Sequence, residues 1–384
     1  MRPAETASFL GTRRKGHMNP VYARLHEEGI RFFEYGITAL DAYYDEPSRP
    51  VRFVLTECSV IDLARCFDSL HFPSLPYADA ALIFQADEYR FVCTEDARHF
   101  RPGGAWSEFL HDPVTGIFHD KGNIYEALRQ RALPVPDSAA CSLEQRFFEA
   151  AVLASLHPDG ASLAREHIHL PPSIPVQFQK DLLVTILAGP QPAAGLEFLY
   201  RTGFIAREWP EIAQLDEVDH SKDCHPEGNG WAHTLETFTY RKDRALVLSL
   251  ALLLHDIGKP EAAQKEGRRF DRHAEIGALR ARRFLVRLGF SLSIQNDVQF
   301  LVRYHMFPAA LGSLPVQIAE PLVKDPRFPT LLELFRCDEF SSFKDPERYY
   351  ESCNAYRTLM KHMRNPYRTA DGRRVGTSRR AAHF

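Results

Sequence analysis

Apolar positions along the 384-residue chain follow two rhythms, and the rhythm changes near Ser142. Before that point short apolar runs dominate. Val51-Arg-Phe-Val-Leu-Thr56 has the pattern of a buried strand. Ala80-Ala-Leu-Ile-Phe-Gln85 and Tyr89-Arg-Phe-Val-Cys93 flank Ala-Asp-Glu like the arms of a hairpin. Residues 60–70 carry helical spacing, and Arg101-Pro-Gly-Gly104 and Asp112-Pro-Val-Thr-Gly116 predict turns. Beyond Ser142 the spacing becomes three and four. It predicts helices over residues 143–156, 176–187, 194–201 and 209–215, then a second helical block over 225–362. Pro134-Val-Pro-Asp-Ser138 reads as the linker between the two regimes. The expected class is therefore α+β: a small mixed α/β head over residues 1–140, an all-α neck or body over 141–220, an all-α domain over 221–364, and a tail over 365–384.

Composition adds limits. Hydrophobic residues make up 45% and charged residues 25%, enough for a core and too apolar for a disordered chain. The formal charge of −3 excludes a uniformly basic nucleic-acid-coating protein, but it hides an asymmetry. From Arg357 onward eight basic residues face one acid, Asp371, so that segment carries +7 and the rest −10. Such a segment suits a polyanion, with Arg146, Arg165 and Lys180 of the neck as a second basic surface. The seven cysteines form no CxxC pair, which argues against a disulfide framework or a thiolate zinc site and for a reducing compartment. The N-terminus lacks an apolar leader, and the apolar run 245–254 is too short for a membrane span. A soluble, cytoplasmic protein with no membrane partner is expected.

The chemistry concentrates in the second helical block. Trp231-Ala-His233-Thr precedes an apolar helix that ends Leu254-His255-Asp256-Ile-Gly-Lys259-Pro260. Arg272-His273-Ala-Glu-Ile-Gly-Ala278, Arg303-Tyr-His305 and Phe335-Arg-Cys-Asp338 follow. Imidazole nitrogens and carboxylate oxygens suit a borderline divalent cation. Gly258 and Pro260 are expected to stop the helix, leaving His255 and Asp256 at a mouth rather than in a sealed core. An aspartate beside a histidine can bridge two ions. His233 and Asp338 would complete one site, and His273 and His305 would supply another. Two metals sharing a hydroxide hydrolyse phosphate esters.

This order of His, His-Asp, His, His and Asp resembles the HD superfamily of metal-dependent phosphohydrolases over residues 225–338, with no departure in the ligand set. The resemblance implies that His233, His255, Asp256 and Asp338 hold a first metal and that Asp256, His273 and His305 hold a second. It implies that Lys259 faces the scissile phosphate. It leaves open whether one or two ions bind, and whether they are Mn, Fe, Co, Ni, Zn or Mg.

Gly195-Leu-Glu-Phe-Leu-Tyr-Arg-Thr-Gly-Phe204, Trp209-Pro-Glu-Ile212 and His225-Pro-Glu-Gly-Asn-Gly-Trp-Ala-His-Thr234 extend the likeness. Their succession is similar to the neck, body and HD domain of the bacterial tRNA nucleotidyltransferase/poly(A) polymerase family. The head departs from that family. Tyr35-Gly-Ile-Thr-Ala-Leu-Asp41 stands where a double-glycine turn and its arginine are needed, and no Asp-x-Asp occurs in the first 140 residues. Asp41 and Asp62 are the remaining candidates for a magnesium site. The head reads either as a degenerate, inactive nucleotidyltransferase fold or as an unrelated α/β domain.

The expected function is an enzyme that hydrolyses a phosphoester, and the resemblance implies a phosphatase, 2′-nucleotidase or 2′,3′-cyclic phosphodiesterase type. The resemblance also implies its substrate, a nucleotide or an RNA 3′ end such as that of tRNA. Two other readings stay open: an active CCA-adding or poly(A) polymerase-type nucleotidyltransferase, and a non-catalytic metal-containing RNA-binding or regulatory protein.

Overall fold

The computed structural model describes residues 18–97 except 76, 108–130, 142–156, 168–218, 228–263, 272–342, 346–364 and 367, together with the backbone of 7–10. His225, Arg165, the Arg101 turn, the 134–138 linker and the basic segment 368–384 lie outside the described residues. The chain divides into two compact units, Met1–Arg207 and Glu208–Phe384.

The first unit is built on an eight-stranded sheet. Its strands are β1 (Ala7–Leu10), β2 (Phe32–Tyr35), β3 (Val51–Thr56), β4 (Leu70–His71), β5 (Ala80–Phe84), β6 (Asp87–Cys93), β7 (Phe109–Asp112) and β8 (Ile117–Asp120), in the order β1-β8-β7-β2-β3-β6-β5-β4. The strand expected at 51–56 and the hairpin across Ala86–Glu88 are both present. β3 pairs in parallel with β6, and the other described pairs are antiparallel.

The nearly unbroken apolar run of β3 has a simple cause: both of its faces are covered. Val54 joins a core with Val21 and Leu25 of α1 (Pro20–Glu27) and Leu63 of α3 (Val60–Cys66). Phe53 points the other way, into an aromatic cluster with Tyr77 and with Phe148 of α5 (Leu143–Leu156). Asn19 and Ser59 cap α1 and α3 by accepting from the N–H groups of Val21 and Asp62. Gly36, with φ +58, makes the turn from β2 into α2 (Ile37–Tyr43), a conformation that favours glycine. A short α4 (Tyr125–Gln130) follows β8.

Helices of the expected neck belong to this same unit: α5, α6 (Val176–Ala188), α7 (Pro192–Arg201) and α8 (Phe204–Glu208), whose last residue begins the second unit. A buried ion-pair network ties α6 to the sheet. Arg90 of β6 donates through Nε (2.8 Å) and Nη2 (2.6 Å) to Asp181, and Tyr77 donates to the same carboxylate. Lys180 is buried and paired with Glu88. It is therefore not available as a surface cation, contrary to the reading of the neck as a basic face.

The second unit is helical among its described residues. It comprises α9 (Pro210–Ala213), α10 (Gly230–Thr237), α11 (Leu246–Leu254), α12 (Lys259–Ala263), α13 (His273–Arg287), α14 (Leu292–Tyr304), α15 (Phe307–Ala310), α16 (Val316–Val323), α17 (Phe328–Phe340) and α18 (Glu347–Arg364). α11, LVLSLALLL, is apolar all round and buried, with α10, α14 and α17 against it. Trp209 meets Phe284 of α13 edge-on, and Arg287 pairs with Glu211, which fixes the start of the unit to α13. No helix among the described residues is long and apolar enough to cross a membrane.

Arg90 and Asp181 are buried charges, so removing one strands the other in a poor dielectric. Asp181→Ala is expected to lower the unfolding free energy by about 3–5 kcal/mol, read from denaturant unfolding followed by tryptophan-independent circular dichroism.

Candidate metal centre

Helix ends deliver the side chains. His255 follows the last residue of α11, and its Nδ1 meets the Leu252 carbonyl at 2.8 Å. His305 follows α14 in the same way, with Nδ1 2.7 Å from the Val302 carbonyl. Each ring thus caps a carbonyl in the last turn of its own helix, and with Nδ1 held there Nε2 turns toward the cluster. His233 comes from the middle of α10, His273 from the first position of α13, Asp338 from α17 and Lys259 from the first position of α12.

The structure brings these side chains into two groups, His233 with His255 and Asp338, and Asp256 with His273 and His305. Within each group the ligand atoms lie within 4.8 Å of one another. His233 Nε2 is 3.1 Å from Asp338 Oδ1, and His273 Nε2 is 3.1 Å from His305 Nε2. Two ligands about 2.1 Å from a shared ion, at octahedral or tetrahedral angles, stand about 3.0–3.4 Å apart, which matches these edges.

Asp256 faces both groups. Its Oδ2 is 3.3 Å from His255 Nε2 and 3.8 Å from His233 Nε2; its Oδ1 is 3.7 Å from His273 Nε2 and 3.9 Å from His305 Nε2. Lys259 Nζ sits 2.5 Å from Oδ2. Lys259 therefore touches the carboxylate directly, and it opens a helix rather than capping the end of one.

The expectation of a mouth is corrected. His255 and Asp256 are each 1% exposed. Gly258 has no left-handed backbone, and Pro260 sits in the first turn of the next helix instead of merely ending the previous one. The chain turns back at once, and α13 packs onto the turn. A Cβ on Gly258 would collide with the His273 carbonyl and with the backbone of Gly277, so the two glycines permit a near backbone-to-backbone contact. The residue ahead of His273, Arg272, is left-handed at φ +60, a strained position for a side-chain-bearing residue. Access to the centre is through the partly exposed His273, Asp338 and Lys259.

Burial and neighbours set the charge states. Burial first, then the facing His273 and His255, pushes His305 down to about 3, so its ring is neutral near pH 7. Burial would raise Asp256, but His255 and Lys259 outweigh it and hold the carboxyl well below its usual range. Asp338 is likewise lowered: burial opposes, and the His233 hydrogen bond and the His255 ring prevail.

A divalent cation fits this set. The buried His255 Nε2 has no hydrogen-bond partner among the described residues, and an unmet buried polar atom costs about 1–3 kcal/mol. His305 Nε2, with its proton held at Nδ1, can only accept, yet it faces a second imidazole nitrogen. A cation resolves both.

Among its described residues the head offers no comparable set. Asp41 is buried and clamped by Arg49, Nε to Oδ2 at 2.7 Å and Nη2 to Oδ1 at 3.0 Å, and Arg49 also donates to the Thr185 carbonyl. Asp62 is exposed at the start of α3, accepting from Ser59 and Arg65. These two carboxylates have structural partners of their own. What motif reading missed at the centre is the support around it: the Leu252 and Val302 carbonyls and Ser341, one turn after Asp338.

Residues 201–341 match the HD domain family model. The CC-adding tRNA nucleotidyltransferase of Thermus thermophilus is 34% identical over 182 residues, 45% of this chain and 37% of that protein. The bifunctional uridylyltransferase/uridylyl-removing enzyme of Mycobacterium tuberculosis is 32% identical over 167 residues, 41% of this chain and 18% of that one. The matches thus span well under half the length of these relatives. A solved tRNA nucleotidyltransferase bound to a primer tRNA and an ATP analog aligns over 89% of this chain and 99% of its own, at 14% identity and a TM-score of 0.42.

Gly258→Ala is expected to force α13 off the turn. It should cost about 1–3 kcal/mol of stability, by thermal or urea unfolding, and reduce the metal content of the purified protein.

Proposed function

From the premise that residues 201–341 are an HD domain in a chain related by sequence to tRNA nucleotidyltransferases, we propose that the protein is a metal-dependent phosphohydrolase. Its reaction is cleavage of a phosphoester of phosphatase, 2′-nucleotidase or 2′,3′-cyclic phosphodiesterase type, at a nucleotide or RNA 3′ end. The observation that carries the reading is Asp256, whose two oxygens turn toward two different groups of histidines.

In this reading His233, His255, Asp256 and Asp338 hold a first ion, and Asp256, His273 and His305 a second. Bound there, the ions supply Lewis acidity toward a phosphoryl oxygen and lower the pKa of the attacking water. The chain's own contribution is positional. His255 and His305 aim Nε2 at the centre because Nδ1 of each donates to a carbonyl of its own helix, and burial keeps the His305 ring neutral. Asp256 and Asp338 stay ionised because imidazoles and Lys259 surround them. Lys259, partly exposed beside Asp256, is the cation positioned to meet a phosphoryl oxygen. The mixed nitrogen and oxygen donors suit Mn, Fe, Co, Ni or Zn, with Mg admitted by the carboxylates.

The names of the relatives favour a second reading more than the first: transfer of nucleotides to tRNA. The commitments of Asp41 and Asp62 in the head weigh against it. A shared tRNA substrate would reconcile the relatives' names with a hydrolytic centre, and it makes the cytoplasm the expected setting.

His255→Ala and Asp256→Ala should each lower both metal content, by elemental analysis, and hydrolysis on a phosphoester panel to background, while leaving most of the helical signal. Full activity in Asp256→Ala would overturn the assignment. No incorporation of labelled ATP or CTP is expected into tRNA truncated at any point in its 3′ end, with Mg or Mn; incorporation would install the second reading in place of the first.

A further inference from the structure

Three of the four imidazoles at the centre are buried, those of His233, His255 and His305. A histidine ligates through one nitrogen when its proton is held on the other, and the partner that holds the proton also fixes the ring. For His255 and His305 the fold supplies that partner locally, since each stands at a helix end with an orphaned carbonyl three residues back. His233 is placed differently. It lies within α10, and its backbone N–H is already bound to the Asn229 carbonyl.

The oxygen beside His233 Nδ1 comes from another helix. Ser341, the residue that caps α17, places Oγ 3.4 Å from Nδ1. Its hydroxyl proton is directed at the Asp338 carbonyl, 2.7 Å away. A hydroxyl has a single proton, so the lone pairs of Oγ are what it offers to the ring. With an ion between them Nδ1 is the donor and Nε2 offers its lone pair from the side that faces Asp338 Oδ1 at 3.1 Å; with no ion there, the same edge is a hydrogen bond from Nε2 to that carboxylate. One hydroxyl therefore acts on two groups, orienting the His233 ring and bracing the backbone of the residue that carries the opposing carboxylate. Ser341 is 5% exposed, so water does not compete freely for either contact.

We propose that Ser341 is a positioning residue that holds His233 in the tautomer able to ligate through Nε2, and so sets the affinity of the His233, His255 and Asp338 group for its ion. The proposal rests on reading these residues as a metal centre.

Titration calorimetry of metal-stripped full-length protein with Mn tests it, in wild type, Ser341→Ala, His273→Ala and the double variant. Wild type should take up ions at both groups, and His273→Ala should retain the one bound by His233, His255 and Asp338. Ser341→Ala should weaken that ion by about 10–100-fold in either background, the range expected when an outer hydrogen-bond partner is lost. Binding at the Asp256, His273 and His305 group and the melting temperature of the metal-stripped protein should stay near wild type. Unchanged Mn affinity in Ser341→Ala overturns the proposal. Equal weakening of both groups together with a lowered melting temperature also overturns it, by making Ser341 merely structural. A wild-type protein that takes up no ion overturns the underlying reading of the centre instead.

Discussion

A fully buried carboxylate needs positive charge or hydrogen bonds around it, and Asp256 is surrounded by groups that cannot all supply them. Two of its facing imidazoles, His255 and His305, each commit Nδ1 to a helix carbonyl, and burial keeps the His305 ring neutral. Lys259 compensates one oxygen. The cluster as a whole is rich in acceptors, with two aspartates and four histidine rings in a small volume. Such a cluster is stable as a cation site and poor as a core, and the arrangement of the second unit follows from that demand.

The helices satisfy it by meeting at their ends. α11 and α14 each stop where a histidine can cap them, so the residue that completes the helix also aims its Nε2 inward. α13 begins at His273 and packs onto the turn after Asp256, a contact close enough to need glycine at 258 and 277. α10 and α17 pass alongside, contributing His233 and Asp338 from within their lengths. Apolar burial of α11 fixes the scaffold, and capping turns the ends of that scaffold into positions from which a side chain could ligate an ion.

The first unit uses its charges differently. Asp41 with Arg49 ties α2 to the segment before β3, and Asp181 with Arg90 ties α6 to the sheet, so those carboxylates are occupied by guanidinium groups. Gly36 still forms a strand-to-helix turn between β2 and α2, the place where the sequence resemblance locates transfer chemistry. The backbone turn is there while the acidic side chains that would bind ions beside it have other partners. The capacity for metal chemistry among the described residues is thus in the second unit.

Much of this was legible in the sequence. Alternation and helical spacing located β3, the β5–β6 hairpin, α5 and α6 to within a few residues, because buried apolar positions repeat with the period of the element that buries them. The ordered His and Asp residues named the side chains that the structure brings together in two groups able to hold an ion, because metal ligation restricts residue type and order strongly. Strands β2, β7 and β8 and helix α2 were not located, since short elements carry too few periods to stand out. What only tertiary structure decided is how the ligands are held. Whether His255 lies open or buried, which nitrogen of each ring is free, which way Asp256 turns each oxygen, and that Ser341 stands behind His233 all depend on distances between helices remote in the chain. A sequence fixes the identity of donors and acceptors, but a hydrogen bond or a coordination edge exists only when packing sets their separation to a few tenths of an ångström.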